Sequence, residues 1–348
     1  MTETNAIQSL NASWIFFASY KTTGHYDQIM KFNKAVFLDV DSMGSGLDFS
    51  PLKELAEDWQ NYPATSPEDT LLRVQDAELV ISNKVVLDRT ILSQCKQLKL
   101  VCVIATGTNN VDLEAARELG IAVTNVTAYG TPSVVQFVFA LLLSLVTRLN
   151  EHQASSRNGE WANSPNFCVL DYEFHELSGK TMGIIGYGEL GKAVARVAQA
   201  FGMQVLVSQR PGSQACEGRV PFAELLTQAD VVSLHVPLAE NTRNLIGAAE
   251  LGLMKPTAIL INAARGGIVD EQALVNALQR GEIAGAGIDV LTQEPPRDGN
   301  PLLDYDQPNL IVTPHMAWGA VESRQRLIKL VAENIIAFHR GETRNRVE

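Results

Sequence analysis

The sequence predicts an α/β fold made of two doubly wound modules, each a parallel sheet with helices on both faces. Two observations carry this prediction. The chain has 348 residues, which is long enough for two domains that each bury a core. Short apolar runs alternate with helical patterns in two stretches, the first beginning near Lys34 and the second at Thr181. Strands that alternate with helices in this way pair into parallel sheets.

The composition of the chain restricts the class of partner that it can bind. Apolar residues make up 46% of the sequence and charged residues 19%, which is ordinary for a globular protein and excludes a disordered one. The net charge of −11 argues against a nucleic-acid partner and against binding to an anionic membrane surface. The longest apolar run, residues 137–146, is too short to span a bilayer.

The four cysteines bear on metal binding and on the cellular compartment. Cys95, Cys102, Cys168 and Cys216 are scattered through the chain without C-x-x-C spacing. Neither a metal site nor a disulfide framework follows from such spacing. Unpaired thiols are typical of a reducing compartment, so we expect a cytoplasmic protein with no bound metal.

The first module is predicted to follow a segment without periodicity. Residues 1–29 show no clear period, their apolar residues 14–17 are too few for a secretory core, and we expect an extension outside the fold. A strand is predicted at residues 35–40 and a helix at residues 52–59. Further strands are predicted at residues 78–82, 98–104 and 121–124, with a helical pattern at 111–118.

A long helix separates the two modules. It is predicted from Pro132 to Arg148, with Thr131 as its N-cap and the proline in its first turn. A strand at residues 182–185 and a helix at residues 191–201 then open the second module. Later strands are predicted at residues 204–207, 231–234, 258–261, 285–288 and 310–312, and a terminal amphipathic helix at 327–338.

The turn between the first strand and the first helix of the second module has the pattern G-x-G-x-x-G. At this position the first two glycines allow a tight turn and a close approach of the backbone to a pyrophosphate. The third lets the helix pack on the strand, and the helix N-terminus faces the anion. The pattern predicts a dinucleotide site that includes Gly186, Gly188, Glu189, Leu190 and Gly191. A glycine turn without a ligand and a methyltransferase-type loop are the alternatives.

The residues after the second strand of this module bear on the choice between NAD(H) and NADP(H). An acidic side chain there binds the ribose 2′-hydroxyl and repels a 2′-phosphate. The chain instead has Ser208, Gln209 and Arg210. The missing acid and the adjacent guanidinium favour NADP(H), with Gln209 and Arg210 as cofactor contacts, and leave NAD(H) open.

Three later segments follow predicted strands, at the edge where open α/β sheets bind their ligands. They are residues 262–270 (NAARGGIVD), 289–296 (DVLTQEPP) and 313–318 (TPHMAW). With residues 82–85 (SNKV), 105–112 (ATGTNNVD) and 128–134 (AYGTPSV), they resemble the D-isomer-specific 2-hydroxyacid dehydrogenase family. The resemblance covers the chain from about Lys34 onward, and it is closest to the glycerate dehydrogenase or hydroxypyruvate reductase branch.

The resemblance implies that Arg265, Glu294 and His315 are the catalytic residues, and their chemistry suits the reaction. Hydride transfer to a 2-oxo acid builds negative charge on the carbonyl oxygen, which calls for a proton donor and a cation. Histidine changes its charge near neutral pH, and Glu294 would favour the imidazolium form of His315. Arg265 can donate two hydrogen bonds, one to the carboxylate and one to the carbonyl oxygen of the substrate.

The resemblance also assigns residues to the cofactor and to the substrate. At the cofactor we expect Val236, Pro237, Ala263, Ala264 and Asp289, with the last near the nicotinamide carboxamide. The substrate is expected to meet Asn83, Lys84, Thr106, Gly107, Thr108 and Trp318, and the glycine would allow its close approach. Lys84 could equally lie on the surface, and Trp318 could equally belong to the core.

The resemblance further implies that one domain is inserted into the other. A flavodoxin-like substrate-binding domain would comprise residues 30–128 and 318–348, and a Rossmann dinucleotide-binding domain residues 129–317. The crossings near residues 125–129 and 316–319 could then act as hinges that close the cleft and exclude water.

The predicted function is hydride transfer from NAD(P)H to a small 2-oxo acid, reducing hydroxypyruvate to D-glycerate or glyoxylate to glycolate. Reduction of another 2-oxo acid and oxidation of phosphite are the alternatives among enzymes. A nucleotide-sensing co-repressor of the same fold is the alternative from a different class, and it would bind partners with negligible turnover. The long helix from Pro132 resembles the segment through which the family forms dimers, so we expect a homodimer.

Overall fold

The structure, a computed structural model, describes residues 30–210 and 216–348 and arranges them around two parallel sheets. The predicted extension at residues 1–29 lies outside the described residues. The strands of the first sheet are β1 (Phe32–Phe37), β2 (Ala56–Asn61), β3 (Leu79–Ser82), β4 (Leu100–Val103) and β5 (Ala122–Thr124). They lie in the order β2-β1-β3-β4-β5, and each neighbouring pair is parallel.

Helices cover both faces of the first sheet. They are α1 (Ser50–Lys53), α2 (Pro67–Val74), α3 (Arg89–Gln94), α4 (Leu113–Leu119) and, from the far end of the chain, α12 (Val321–His339). Side-chain caps start α2, α3 and α4, because the oxygens of Ser66, Asp88 and Asp112 each accept a backbone N–H of the first turn. Leu327 and Val331 of α12 are fully buried in the core of this sheet. The C-terminal helix therefore completes the first module.

One sequence prediction for this module was wrong. Residues 52–59 were expected to form a helix, but α1 ends at Lys53 and residues 56–61 form β2 at the edge of the sheet. The strand is polar and largely exposed, so its own apolar pattern does not reveal it. Pairing with the buried strand β1 decides its conformation, since contacts with neighbouring strands outweigh local propensity.

The second sheet contains β6 (Thr181–Ile185), β7 (Gln204–Val207), β8 (Val231–Leu234), β9 (Ile259–Asn262), β10 (Gly285–Ile288) and β11 (Leu310–Val312). These strands lie in the order β11-β10-β9-β8-β6-β7, again all parallel. The strand order reverses between β6 and β8, which is the point where open sheets of this type bind ligands. Both doubly wound parallel sheets of the predicted fold class are thus confirmed.

The helices of the second module are α5 (Thr131–Val146), α6 (Leu149–Arg157), α7 (Glu189–Ala200), α8 (Phe222–Gln228), α9 (Ala248–Leu251), α10 (Glu271–Arg280) and α11 (Pro301–Asp304). The prediction that Thr131 caps α5 was wrong, because Gly130 is the N-cap and Thr131 is the first helical residue. The Thr131 hydroxyl instead donates to Oε1 of Glu189 at 2.5 Å. This bond joins the start of α5 to the start of α7.

The chain crosses between the modules twice, and side chains of α5 and α12 hold both crossings. At the first crossing Asn334 donates to the carbonyl of Asn125 at 2.8 Å, and Arg326 donates to the carbonyl of Tyr129. At the second, Ser133 of α5 donates to the carbonyl of Ala317 at 2.6 Å. A side chain of α5 thus holds the second crossing and side chains of α12 hold the first, while the domain boundaries and the hinge role stay predictions.

The helices of the described residues were also compared with the length of a membrane span. Within residues 30–210 and 216–348, no single helix is long and apolar enough to cross a bilayer. The pair α5 and α6 reaches that length and composition together, but a bend of 60° separates the two helices. Most of α5 packs against its own sheet, with Val138 and Leu142 fully buried.

Candidate active site

The glycine turn lies between β6 and α7, beside the point where the strand order reverses. Gly186 has a φ of 95°, and a Cβ there would collide with the carbonyl oxygen of His235. A Cβ at Gly191 would collide with the carbonyl oxygen of Gly186, so α7 can approach the strand only without it. Gly188 has open space where its Cβ would project. The turn therefore has two glycines that the backbone requires and one that leaves room for a ligand.

The residues that follow β8 and β9 line the same edge. Val236 packs directly against the Gly186 turn, where its Cγ1 would lie 2.9 Å from a Cβ on that glycine. Asn262, at the end of β9, accepts a hydrogen bond from the N–H of Ala264 at 3.1 Å and donates one to the carbonyl of Arg265 at 3.0 Å. The buried amide of Asn262 thus fixes the loop that carries Ala263, Ala264 and Arg265 at the edge of the sheet.

His315 and Glu294 form a direct pair at the ends of β10 and β11. Nδ1 of His315 lies 2.7 Å from Oε2 of Glu294, and the other carboxylate oxygen accepts the N–H of Leu291 at 2.9 Å. Burial alone would raise the pKa of Glu294, but the hydrogen bonds from His315 and Leu291 outweigh it and lower that pKa. A carboxylate that stays ionised leaves Nδ1 as the donor, so Nε2 is the ring nitrogen that can exchange a proton with a ligand.

Asp289 holds the loop that presents His315. Its side chain is 1% exposed, and its Oδ1 accepts the Thr313 hydroxyl at 2.6 Å and the Met316 N–H at 2.8 Å. Oδ2 accepts the N–H of Ala317 at 2.9 Å. Between these contacts His315 adopts a φ of 53°, a left-handed conformation that is uncommon for a residue other than glycine. Asp289 thus supports the histidine loop, and its predicted contact with a nicotinamide stays a prediction.

Arg265 joins this group to the loop after β4 in the first module. Its Nη2 would lie 3.5 Å from a Cβ placed on Gly107, so the guanidinium rests against the backbone of that loop. Within the described part of the chain, the backbone N–H groups of Thr106, Gly107 and Thr108 have no acceptor. The Thr106 hydroxyl is already bonded to the carbonyl of Val126 at 2.8 Å. The loop therefore offers backbone donors beside a guanidinium, which suits a carboxylate ligand.

Lys84 and Asn83 approach the same place from β3. Lys84 is exposed, yet partial desolvation of its ammonium group and the charge of Arg265 lower its pKa, while Glu294 and Asp39 oppose the shift. Lys84 thus interacts electrostatically with Arg265 and Glu294 of the second module. Asn83 is buried, and its amide donates to the Ser42 hydroxyl at 3.1 Å, so its side chain supports the loop.

Trp318 and Tyr129 stand where the two crossings meet, and the sequence interpretation had not included Tyr129 in the site. Their rings contact edge to face with centroids 6.4 Å apart. Burial raises the pKa of Tyr129 to about 12, against the influence of the nearby Arg265 charge. No hydrogen bond engages the Tyr129 hydroxyl within the described residues. The signal in the sequence was its place in the 128–134 motif, directly before the glycine that caps α5.

The end of β7 positions the residues expected to select the cofactor. Gln209 donates its N–H to the carbonyl of Val220 at 2.9 Å, so residues 219–220 run alongside the strand end. This pairing brings a second guanidinium to the edge, with Nη1 of Arg219 at 3.5 Å from the carbonyl oxygen of Ser208. Arg210, which follows Gln209 in the chain, is exposed. The sequence interpretation missed Arg219, because only the tertiary pairing with Val220 brings it to this place.

The conformation of the glycine turn leads to a prediction about stability. Replacing Gly186 by alanine should lower the free energy of unfolding by about 1–3 kcal/mol, because the new Cβ meets backbone at a positive φ. Replacing Gly188 by alanine is the matched control, and it should change that free energy by less than about 1 kcal/mol. Urea denaturation of both variants measures the difference, and equal losses would contradict this description of the turn.

Comparisons with known proteins agree with this geometry. The family model "D-isomer specific 2-hydroxyacid dehydrogenase, NAD binding domain" matches residues 139–317. The glycerate dehydrogenase of Methylorubrum extorquens is 44% identical over 317 residues, which cover 90% of this chain and 99% of that protein. The hydroxypyruvate reductase of Blautia hydrogenotrophica is 39% identical over 315 residues, covering 88% and 97%. A solved structure of an acyclic imino acid reductase with NADPH and D-arginine matches with a TM-score of 0.79 and 27% identity, covering 90% and 100%.

These comparisons confirm the family that the sequence motifs had indicated. The match to the family model takes in the glycine turn and the loops that carry Arg265, Glu294 and His315. The similarity to the relatives extends over both modules, since it spans about nine-tenths of the chain. The chain therefore belongs to the D-isomer specific 2-hydroxyacid dehydrogenase family and is a nicotinamide-dependent oxidoreductase.

Proposed function

We propose that this enzyme reduces hydroxypyruvate to D-glycerate, or glyoxylate to glycolate, with Arg265, Glu294 and His315 as its catalytic residues. The observation that supports this most is the meeting of the Arg265 guanidinium with the loop at Gly107, which belongs to the other module. A small carboxylate ligand suits that place. The glycerate dehydrogenase and hydroxypyruvate reductase relatives support the choice of substrate.

A nicotinamide cofactor fits the glycine turn, because the turn is closed to a Cβ at Gly186 and Gly191 and open at Gly188. When bound, the reduced cofactor supplies the hydride that the carbonyl carbon accepts. The pyrophosphate would lie against the first backbone N–H groups of α7, which have no acceptor inside the helix. The residues proposed to hold the cofactor are Gly186, Gly188, Glu189, Leu190, Gly191, Val236, Pro237, Ala263, Ala264 and Asp289.

The substrate would bind through its carboxylate between the two modules. The guanidinium of Arg265 can donate one hydrogen bond to the carboxylate and one to the carbonyl oxygen, which fixes the plane of the 2-oxo acid. The N–H groups of Thr106, Gly107 and Thr108, which have no acceptor among residues 30–210 and 216–348, would bind the other carboxylate oxygen. Lys84 adds a second positive charge on this side, and Trp318 would close the pocket wall.

His315 would deliver the proton. Because Nδ1 is held by Glu294, Nε2 is the atom that donates to the carbonyl oxygen as negative charge develops there. The hydrogen bond to Glu294 keeps the imidazole ring oriented for this transfer. In the oxidative direction the same nitrogen accepts the proton of the hydroxyl group, so His315 acts as the base.

Removal of the proton donor or of the guanidinium tests this assignment. His315→Ala should lower kcat/KM for hydroxypyruvate by about 10²- to 10⁴-fold, because the transition state loses its acid. Arg265→Ala should cause a loss of at least similar size, because the substrate loses its main anchor. Steady-state kinetics with hydroxypyruvate, glyoxylate and a bulky 2-oxo acid measures the effect, with binding of NADH and NADPH followed by fluorescence.

His175→Ala is the matched control, since His175 is exposed and lies outside the site. Cofactor binding should survive in all three variants, and His175→Ala should keep full activity. Near-normal turnover of either site variant would contradict the catalytic assignment. A much higher rate with the bulky acid would contradict the substrate assignment, and partner binding without turnover would favour the co-repressor function.

For the cofactor we propose a preference for NADP(H). Gln209 stands where an acid would select NAD(H), and Arg210 and Arg219 bring two guanidinium groups to the end of β7. A 2′-phosphate at this edge would meet positive charge and no carboxylate at residue 209. The solved structure of the imino acid reductase with NADPH shows that the fold accepts this cofactor in a relative.

An introduced acid tests the cofactor preference. Gln209→Asp should weaken NADPH binding by about tenfold or more, because the carboxylate repels the 2′-phosphate, and should leave NADH binding intact. Gln204→Asp is the matched control, since Gln204 begins the same strand at the opposite edge. Fluorescence titration gives both dissociation constants. Unchanged NADPH affinity in Gln209→Asp would show that the 2′-phosphate does not lie at the end of β7.

We also propose that the enzyme is a homodimer. The long helix α5 resembles the dimer-forming segment of the family, yet its own apolar residues are largely buried within the module. The exposed apolar side chains lie just beyond α6, where Phe167 is 90% and Leu170 81% exposed. The same segment surrounds an open hollow of about 550 Å³ lined by residues 164–171. Apolar exposure of this extent is typical of an interface.

Polar substitutions in this segment test the assembly. Phe167→Ser with Leu170→Ser should shift the protein from dimer to monomer, because the apolar contact area of the interface is lost. Leu72→Ser is the matched control, since Leu72 is 70% exposed on α2 of the other module and should leave the assembly unchanged. Sedimentation velocity measures the mass. A double variant that stays dimeric would place the interface elsewhere.

The cysteines support a cytoplasmic location. All four are free thiols, and burial raises the pKa of Cys95 to about 11 and that of Cys102 to about 12. Neither buried thiol ionises at neutral pH, so neither is reactive toward disulfide formation. A reducing compartment such as the cytoplasm suits a chain with this thiol content.

A further inference from the structure

Asp39 is a buried carboxylate at the end of β1, next to the loop that carries Lys84. Only 7% of the surface of this residue is exposed. Oδ1 accepts the N–H of Asn83 at 2.9 Å, and Oδ2 accepts the N–H of Lys84 at 2.7 Å. The carboxylate is thus bonded by backbone donors. A buried charge is costly unless such donors replace water, so its presence here calls for a physical reason.

A second set of hydrogen bonds, made through Ser42, holds the backbone around Asp39. The amide of Asn83 donates to the Ser42 hydroxyl at 3.1 Å, and the N–H of Ser42 donates to the carbonyl of Asp39 at 3.0 Å. These bonds connect the loop after β1 with the loop after β3. The peptide between residues 83 and 84 is therefore fixed on both sides, and with it the origin of the Lys84 side chain.

The ammonium group of Lys84 carries a positive charge near that of Arg265, and a bound substrate carboxylate would relieve the repulsion between them. This ammonium group interacts electrostatically with the like charge of Arg265 and with the opposite charges of Glu294 and Asp39. Two cations that face one cleft repel each other until a carboxylate lies between them. The negative charge of Asp39 offsets part of this repulsion without entering the cleft, because its oxygens are held by the backbone.

We propose that Asp39 is a positioning residue, which fixes the 83–84 backbone so that Lys84 shares the substrate carboxylate with Arg265. This inference rests on the proposed reduction of a 2-oxo acid. The geometry predicts an effect on substrate binding that passes through Lys84. If Asp39 served only the stability of the fold, the effect of replacing it on KM would not depend on the side chain at residue 84.

A double-mutant cycle distinguishes positioning of Lys84 by Asp39 from a purely structural role of Asp39. Asp39→Asn should raise KM for hydroxypyruvate by about tenfold, the loss that one charge-assisted contact causes, with kcat little changed. Lys84→Met should raise KM by a similar factor. The double variant should be no worse than Lys84→Met alone, because Asp39 then has nothing to position. Dissociation constants for NADH and NADPH should stay unchanged throughout.

Asp230→Asn is the matched control. Asp230 also binds a backbone N–H, that of Thr181 at 2.8 Å, together with Lys255 at 2.8 Å, at the opposite edge of the second sheet. Its substitution should lower thermal stability, as Asp39→Asn should, and leave KM unchanged. If Asp39→Asn fails to fold, Ser42→Ala tests the same loop, because it removes the hydrogen bond from Asn83. It should raise KM in the otherwise native enzyme, and it should cause no further increase when combined with Lys84→Met.

Two outcomes would overturn the inference. One is a KM effect of Asp39→Asn that multiplies with that of Lys84→Met, which would show that the two residues act independently. The other is an unchanged KM in Lys84→Met. A native enzyme that reduces no 2-oxo acid would instead refute the proposed function, so the two failures are distinguishable.

Discussion

The site depends on one buried interaction, the binding of the histidine loop by the carboxylate of Asp289. The three donors on this carboxylate come from Thr313, Met316 and Ala317, on either side of His315. They hold the histidine in a left-handed conformation and bring its Nδ1 to Glu294. The same loop begins the second crossing between the modules. One desolvated charge therefore fixes both the proton donor and the path of the chain into the other module.

The first module contains a similar interaction, in which the buried carboxylate of Asp39 binds a loop backbone. Asp39 follows β1 as Asp289 follows β10, and each binds backbone N–H groups of a loop that follows a neighbouring strand. Loops at the carboxyl edge of a parallel sheet have no strand partners, so their backbone donors need other acceptors. A carboxylate supplies two acceptor atoms at one point. The loops that face the cleft are thereby ordered before a ligand arrives, which lowers the cost of binding.

Local sequence was sufficient for most elements and failed for particular ones. The strands β3, β4, β8 and β9 are buried throughout and mostly apolar, because helices cover both faces, and this made them easy to find. The edge strand β2 has no such pattern and was mistaken for part of a helix. Thr131 was mistaken for a cap, because its hydroxyl bonds to Glu189 of another helix, a partner that local rules do not include.

The sequence by itself determined the two parallel sheets, the glycine turn and the loops that bear Arg265, Glu294 and His315. These features depend on the period of apolar residues and on backbone conformations that only certain residues allow. Only the tertiary structure decided that Arg265 rests against Gly107, that Asp39 binds the Lys84 loop and that Arg219 reaches the end of β7. Each of these contacts joins segments brought together by strand order and by the two crossings, and no local pattern encodes such a distance.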